Sequence, residues 1–178
     1  MDKPQGYQKI FNSAGFAERF KSFGIDVGNM KRKIFLGTDH AGYNLKEEVK
    51  KYLLSSGYKV DDKGAYGFDA QDDYPDFIVP VAKAVAKNPN SAGLILGASG
   101  QGEAIAANRV KGVRAAVYYG SNIEIVKLSR THNNANILSL GAGFLTKEEA
   151  VKAVKLWLGT DFSSEERHIR RIKKIDKV

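Results

Sequence analysis

Short apolar runs alternate with segments of helical periodicity from residue 34 to residue 175, and this rhythm limits the possible folds before any motif is considered. Ile34–Gly37, Tyr58–Val60, Leu94–Leu96, Arg114–Tyr118 and Ile137–Leu140 read as strands. Asn44–Ser56, Tyr74–Lys87, a segment from about Glu103, Asn122–Ser129, Lys147–Leu158 and Glu165–Ile175 read as helices. Pro75 suits a first helical turn, where a missing N–H costs little, whereas Pro80 lies deeper and is expected to kink its helix. Strand–helix–strand repeats with right-handed crossovers give a parallel sheet covered on both faces. The expected fold class is α/β: a single doubly wound, Rossmann-like domain of about five parallel strands with helices on both faces. Ligands of such sheets bind beyond the carboxyl ends of the strands, near the point where the strand order reverses.

This domain is placed at residues 31–178, closing with a basic terminal helix. Residues 1–30 read as an N-terminal extension of unknown role. Phe11, Phe16, Phe20 and Phe23 are spaced there as on one face of a short helix.

Composition narrows the chemistry. The chain has no cysteine, which excludes disulfides, thiolate metal sites and a cysteine nucleophile. The three histidines, His40, His132 and His168, form no H-x-x-x-H pair, and no metal site is expected. The net charge of +8 is uneven: residues 1–33 carry seven Lys/Arg against three Asp/Glu, and residues 163–178 carry six against three. The body between them is close to neutral, so a nucleic-acid partner is not expected, while a basic end suits a small phosphate. No apolar run approaches the roughly 18–20 residues that span a bilayer. The N-terminus also lacks the apolar stretch of a signal peptide. A cytoplasmic location and no membrane partner are therefore expected.

Four segments carry possible chemistry. After the first strand, Gly37-Thr38-Asp39-His40-Ala41-Gly42 offers either a histidine aimed into the cleft beside an orienting acid, or an Asp-His pair that caps the next helix. After the third strand, Gly97-Ala98-Ser99-Gly100-Gln101-Gly102-Glu103 lets the backbone approach a ligand and presents free N–H groups at a helix start. Glu103 there either complements the helix dipole or serves as a carboxylate at the mouth of an anion pocket. Before the fifth strand, His132-Asn133-Asn134 reads as a structural turn or as a cluster for hydroxyl recognition. Finally, Arg167 and Arg171 lie four apart and share a helix face, either solvated or gripping phosphate.

Taken in order, GTDHAG (37–42), DYPDF (73–77), GASGQGEAIAANRVKGVRAA (97–116), HNNANILSLGA (132–142) and RHIRR (167–171) resemble the type B ribose-5-phosphate isomerase family, which includes galactose-6-phosphate isomerase subunits. The resemblance implies an aldose–ketose isomerase that interconverts ribose 5-phosphate and ribulose 5-phosphate through an enediolate, without metal or organic cofactor. Many members place a catalytic Cys where this chain has Gly97; a second branch uses a Glu at the position of Glu103, and this chain resembles that branch. By the same resemblance, Glu103 is the base, Ser99 stands where the family carries Thr or Ser, and His132 opens the sugar ring. Asp39, His40 and Tyr74 fall on sugar- or phosphate-contacting positions, and Asn133 on a hydroxyl ligand. Gly97, Gly100 and Gly102 line the anion pocket, and N–H groups around Ser99–Gly102 would hold the enediolate oxygen. Arg167 and Arg171 match phosphate contacts supplied by a neighbouring subunit, which implies a homodimer or higher assembly with shared sites. One departure stands out: Gly143 occupies the usual place of an arginine, which opens room for a six-carbon substrate such as allose or galactose 6-phosphate. A non-catalytic sugar-phosphate-binding protein is the remaining alternative.

Overall fold

The computed structural model describes residues 32–177, so the reading of residues 1–30 lies outside the described residues. Within β1 (Lys33–Thr38), β3 (Ala92–Gly97) and β5 (Ile137–Gly141), successive side chains point to opposite faces, and both faces are apolar. Ile34, Leu36, Leu94, Leu96, Leu138 and Leu140 enter one core; Phe35, Ile95 and Ile137 enter the other. A strand buried on both sides has to be covered on both sides, and the helices divide accordingly.

The first core is closed by α1 (Tyr43–Ser55), α4 (Glu124–Thr131) and α5 (Lys147–Leu158), which contribute Val49, Leu53, Val126, Val154 and Trp157. The second is closed by α2 (Pro75–Lys87) and α3 (Gln101–Asn108), through Ile78, Val81, Val85 and Ala107. With β2 (Lys59–Asp62) and β4 (Ala115–Tyr118), the five strands pair in parallel in the order β2-β1-β3-β5-β4. The chain ends in α6 (Glu166–Ile175). The doubly wound α/β fold is therefore as expected. Its strand order reverses between β1 and β3, which marks the crevice at their carboxyl ends as the ligand site. Among the described residues, no helix is long and apolar enough to cross a membrane.

α2 spans Pro75–Lys87 with Pro80 inside it, flanked by the buried Ile78, Val81 and Ala82. One residue departs from the sequence reading: Lys46, which is fully buried although it sits on an amphipathic helix. Its Nζ donates to the Ala65 carbonyl at 2.6 Å and to Asp62 Oδ2 at 3.1 Å, and lies 2.9 Å from Glu47. The ammonium thereby ties α1 to the chain that follows β2. Lys46→Ala would leave Asp62, whose side chain is only 11% exposed, with Lys50 as its remaining cation. The expected cost is about 3 kcal/mol, measurable as a lower urea midpoint. A loss under about 1 kcal/mol would show that the pair contributes little beyond a surface ion pair.

Candidate active site

The chain leaves β3 at Gly97 and turns through Ala98, Ser99 and Gly100 into α3. Gly100 takes the left-handed conformation at φ 77°, and a Cβ there would press on the backbone of Leu140 and Gly141. As the N-cap it starts α3 at Gln101, two residues before the start read from periodicity, and Glu103 becomes the third helical residue. The neighbouring strand fixes this loop. Ser139 Oγ donates to the Gly100 carbonyl at 2.6 Å, and the N–H groups of Ala142 and Gly143 donate to the carbonyls of Gly97 and Ala98 at 2.8 and 2.9 Å.

Glu103 is 4% exposed, and its carboxyl folds back over Gly97. A Cβ built on Gly97 would fall on that carboxyl, so the bare backbone is what makes room for it. The Tyr74 phenol covers Gly102, with ring and hydroxyl atoms 3.1 Å from where a Cβ would stand. Burial pushes the Glu103 pKa up, a hydrogen bond from its own backbone N–H works against that, and the charge of nearby Asp39 adds to the rise. A helix start favours an ionised carboxylate, but burial is the largest influence here, and the group is more basic than an ordinary glutamate.

Across the crevice, Thr38 Oγ1 donates to the Leu96 carbonyl at 3.0 Å and draws the end of β1 onto β3. Asp39 is 6% exposed and caps the short turn that follows, accepting from the N–H groups of Ala41 and Gly42 at 3.1 and 3.4 Å. Of the two roles left open for the Asp-His pair, the capping role belongs to Asp39. His40 does not pair with Asp39; its Nδ1 lies 2.6 Å from Asp72 Oδ1, which also accepts the His40 backbone N–H at 3.0 Å. The Asp72 hydrogen bond is the main reason the His40 pKa is raised; partial burial opposes it, and Asp39, Asp72 and Asp69 add negative charge. Asp39, His40 and Asp72 bring one ligand-type atom each within 4.8 Å of one another; Asp39 Oδ1 is taken by the turn and Asp72 Oδ1 by the imidazole, while Asp72 Oδ2 is buried without a hydrogen-bond partner. Asp72 escaped the sequence reading; its one signal was the acidic pair ahead of Tyr74-Pro75. Tyr119 and Phe144 also escaped it. They follow β4 and β5, are 49% and 64% exposed, and hold their rings 5.9 Å apart.

The remaining candidates stand elsewhere. His132 is the C-cap of α4, and Asn133 follows it, at the amino end of the strands rather than the carboxyl end. The backbone there bonds to strand beginnings: Asn136 accepts from Gly93 N–H at 2.9 Å, and the Arg114 N–H donates to Asn136 Oδ1 at 2.8 Å. At about 3.3 Å per residue, the length of β3 separates this turn from Glu103. Asn134 and Asn136 are structural: Asn134 takes φ 44°, and both are held by Arg130 or Arg114. His132 stacks flat on His168, with ring centroids 4.4 Å apart and planes 12° from parallel. Ser163 N–H donates to the Thr131 carbonyl and Arg130 Nε to the Thr160 carbonyl, each at 3.1 Å, which latches the C-terminal segment to the same turn. Arg167 and Arg171 project into solvent from α6. Predicted site residues therefore form two groups, one at each end of the sheet. Asp39, His40, Tyr74, Gly97, Ser99, Gly100, Gly102 and Glu103 make the first; His132, Asn133, Arg167 and Arg171 make the second.

The family model described as Ribose/Galactose Isomerase matches residues 34–175. Ribose-5-phosphate isomerase B of Mycolicibacterium paratuberculosis is 41% identical over 140 residues, which is 79% of this chain and 87% of that protein. The protein of the same name from Escherichia coli is 36% identical over 147 residues, covering 83% and 96%. Among solved structures, ribose-5-phosphate isomerase B from Mycoplasma genitalium with bound ribulose-5-phosphate superposes with a TM-score of 0.79 at 40% identity, over 84% of this chain and 97% of that one. The Thermotoga maritima enzyme gives 0.77 at 42% identity, over 83% and 99%.

Replacing Asp72 by Asn removes the largest influence that raises the His40 pKa. The imidazole should then lose its proton at lower pH, visible as a downward shift in the NMR titration midpoint of its ring protons. An unchanged midpoint would show that the other carboxylates alone set the charge of His40.

Proposed function

The chain belongs to the Ribose/Galactose Isomerase family, and on that premise we propose that it interconverts ribose 5-phosphate and ribulose 5-phosphate with Glu103 as the base. One observation carries the assignment of the base: the Glu103 carboxyl lies in the space above Gly97, where members of the cysteine branch would carry their side chain. The carboxyl is buried, more basic than usual, and sits at the start of a helix beside the Gly-rich loop.

In the reaction, Glu103 takes the proton from C2 of the ring-opened aldose and returns it to C1. Between these steps the substrate is an enediolate, whose negative oxygen rests against the N–H groups around Ser99–Gly102. The Ser99 hydroxyl carries the proton between the two oxygens. A carboxylate with a raised pKa accepts the carbon-bound proton more readily than an ordinary one, provided it remains ionised at working pH. Asp39, His40 and Tyr74 border the same crevice and contact the sugar phosphate.

The second group supplies what the first lacks. Arg167 and Arg171 are suited to a phosphate, and His132 to proton exchange at the ring oxygen, with Asn133 beside it on a hydroxyl. Because these residues stand at the far end of their own sheet, they complete the crevice of a second copy, and the enzyme is a homodimer or higher assembly with shared sites. A six-carbon sugar phosphate is the second reading. It is favoured by Gly143, where a Cβ would meet no atom other than the Ala98 backbone within 4 Å. Isomerase assays across five- and six-carbon sugar phosphates, with EDTA present, decide between the two; turnover of neither would overturn the enzymatic reading.

Glu103→Gln keeps the shape of the side chain but cannot accept the proton. The expected loss in kcat is about 10²–10⁴-fold, with KM within about tenfold, and near-full activity would sink the assignment. Shared sites have their own test, in which inactive Glu103→Gln is mixed with inactive Arg167→Ala/Arg171→Ala under conditions of subunit exchange. A mixed dimer regains one site with base and arginines intact, so activity should return to at most about half of wild type per dimer. Verified exchange without any recovery would place the arginines in their own subunit's site.

A further inference from the structure

We infer that His168 is a positioning residue for His132: its flat face, not a hydrogen-bonding carboxylate, fixes the plane in which the His132 ring presents its nitrogens to substrate. The inference rests on the proposed role of His132 and adds the group that makes that role possible. Imidazoles that exchange protons with a substrate are usually oriented by a second group bonded to the far ring nitrogen. No hydrogen bond of this kind holds His132 among the described residues, and its one strong orienting contact is the stack on His168, at 4.4 Å and 12°. Stacking leaves both ring nitrogens of His132 available, one for the sugar and one for solvent relay.

The platform itself is firmly placed. His168 is 4% exposed in the first turns of α6, its backbone N–H donates to the Glu165 carbonyl at 2.9 Å, and the preceding segment is latched to the His132 turn through Ser163 and Thr160. Its buried Nε2 has no hydrogen-bond partner, and Glu165 stands 3.8 Å away. A ring held this way serves by its shape. Its charge state agrees with that role: burial first, then the neighbouring His132, Arg167 and Arg171, lower the His168 pKa against the opposing Glu165. The lowered pKa disfavours the charged ring, so the face His168 offers is that of an uncharged imidazole. The same helix carries Arg167 and Arg171, so the grip on phosphate and the aim of His132 are set by one rigid piece.

The test is a double-mutant cycle read on two substrates. Ribose 5-phosphate closes a furanose; a four-carbon aldose 4-phosphate cannot, because its terminal oxygen carries the phosphate. His168→Ala should lower kcat on ribose 5-phosphate by about tenfold or more, with KM within about threefold. In a His132→Asn background the same change should cost less than about threefold, because the two residues act as one unit. His168→Phe keeps a flat ring without nitrogens and should restore kcat to within about threefold of wild type. His168→Leu fills the volume without a flat face and gives the same reading as alanine if the alanine variant does not fold. Independent, multiplying losses in the cycle would overturn the inference, and so would failure of a well-folded His168→Phe to restore activity. Whether the His132→Asn loss is confined to the ring-closing substrate tests the role of His132 separately: equal losses on both substrates reject ring opening while leaving the cycle to judge the stack.

Discussion

The hydrogen-bonded seam between β3 and β5 governs the molecule, because it continues past the ends of the strands. Its ladder runs to Gly97 and Gly141, and then goes on as Ala142 to Gly97 and Gly143 to Ala98, with Ser139 Oγ reaching Gly100 from the side. A glycine-rich loop left to itself would lose a large conformational entropy on ordering. Here three groups at the end of β5 set its path. The start of α3, the place of Glu103 and the direction of the free N–H groups all follow from that path. On the other side, Thr38 Oγ1 bonds Leu96 and brings the Asp39–His40 turn to the same crevice. The reacting groups are consequently presented by the rigid carboxyl edge of the sheet.

The sheet was legible because burying a strand on both faces demands an apolar run, and helices demand a different period. Among the described residues, the five strands and six α-helices fall where those periods place them, within a few residues. What could not be read depends on tertiary context. A left-handed N-cap at Gly100 moves the helix start, and no periodicity encodes it. Lys46 and Arg130 are charged residues deep in the structure. A pattern that counts lysine and arginine as surface assigns both wrongly, since their partners, the Asp62 and Ala65 groups for one and the Thr160, Asn134 and Ala135 groups for the other, come from distant or irregular segments.

Motifs name candidate residues for a site but not their arrangement. Motif order along the chain says nothing about which end of a parallel sheet a loop occupies, unless one counts whether the loop precedes or follows its strand. The His132 turn precedes β5, and that alone placed it away from Glu103. Inside this turn the asparagines divide the work. Asn134 adopts a positive φ and Asn136 bonds two separate backbones, which fixes the turn that carries His132 and Asn133. The Asp72–His40 pair was hidden for a related reason: the partner lies 32 residues downstream, in a loop with no periodic signal.

The space above Gly97 has a consequence for how such proteins diverge. It accommodates the carboxyl of residue 103 or a side chain at residue 97, and not both in the present arrangement. The two positions are therefore epistatic. A lineage that first gains a side chain at 97 displaces its carboxylate, and one that first loses residue 103 has an empty pocket. A single change at either position therefore disturbs the other, and a side chain at 97 is tolerated only together with a change at 103.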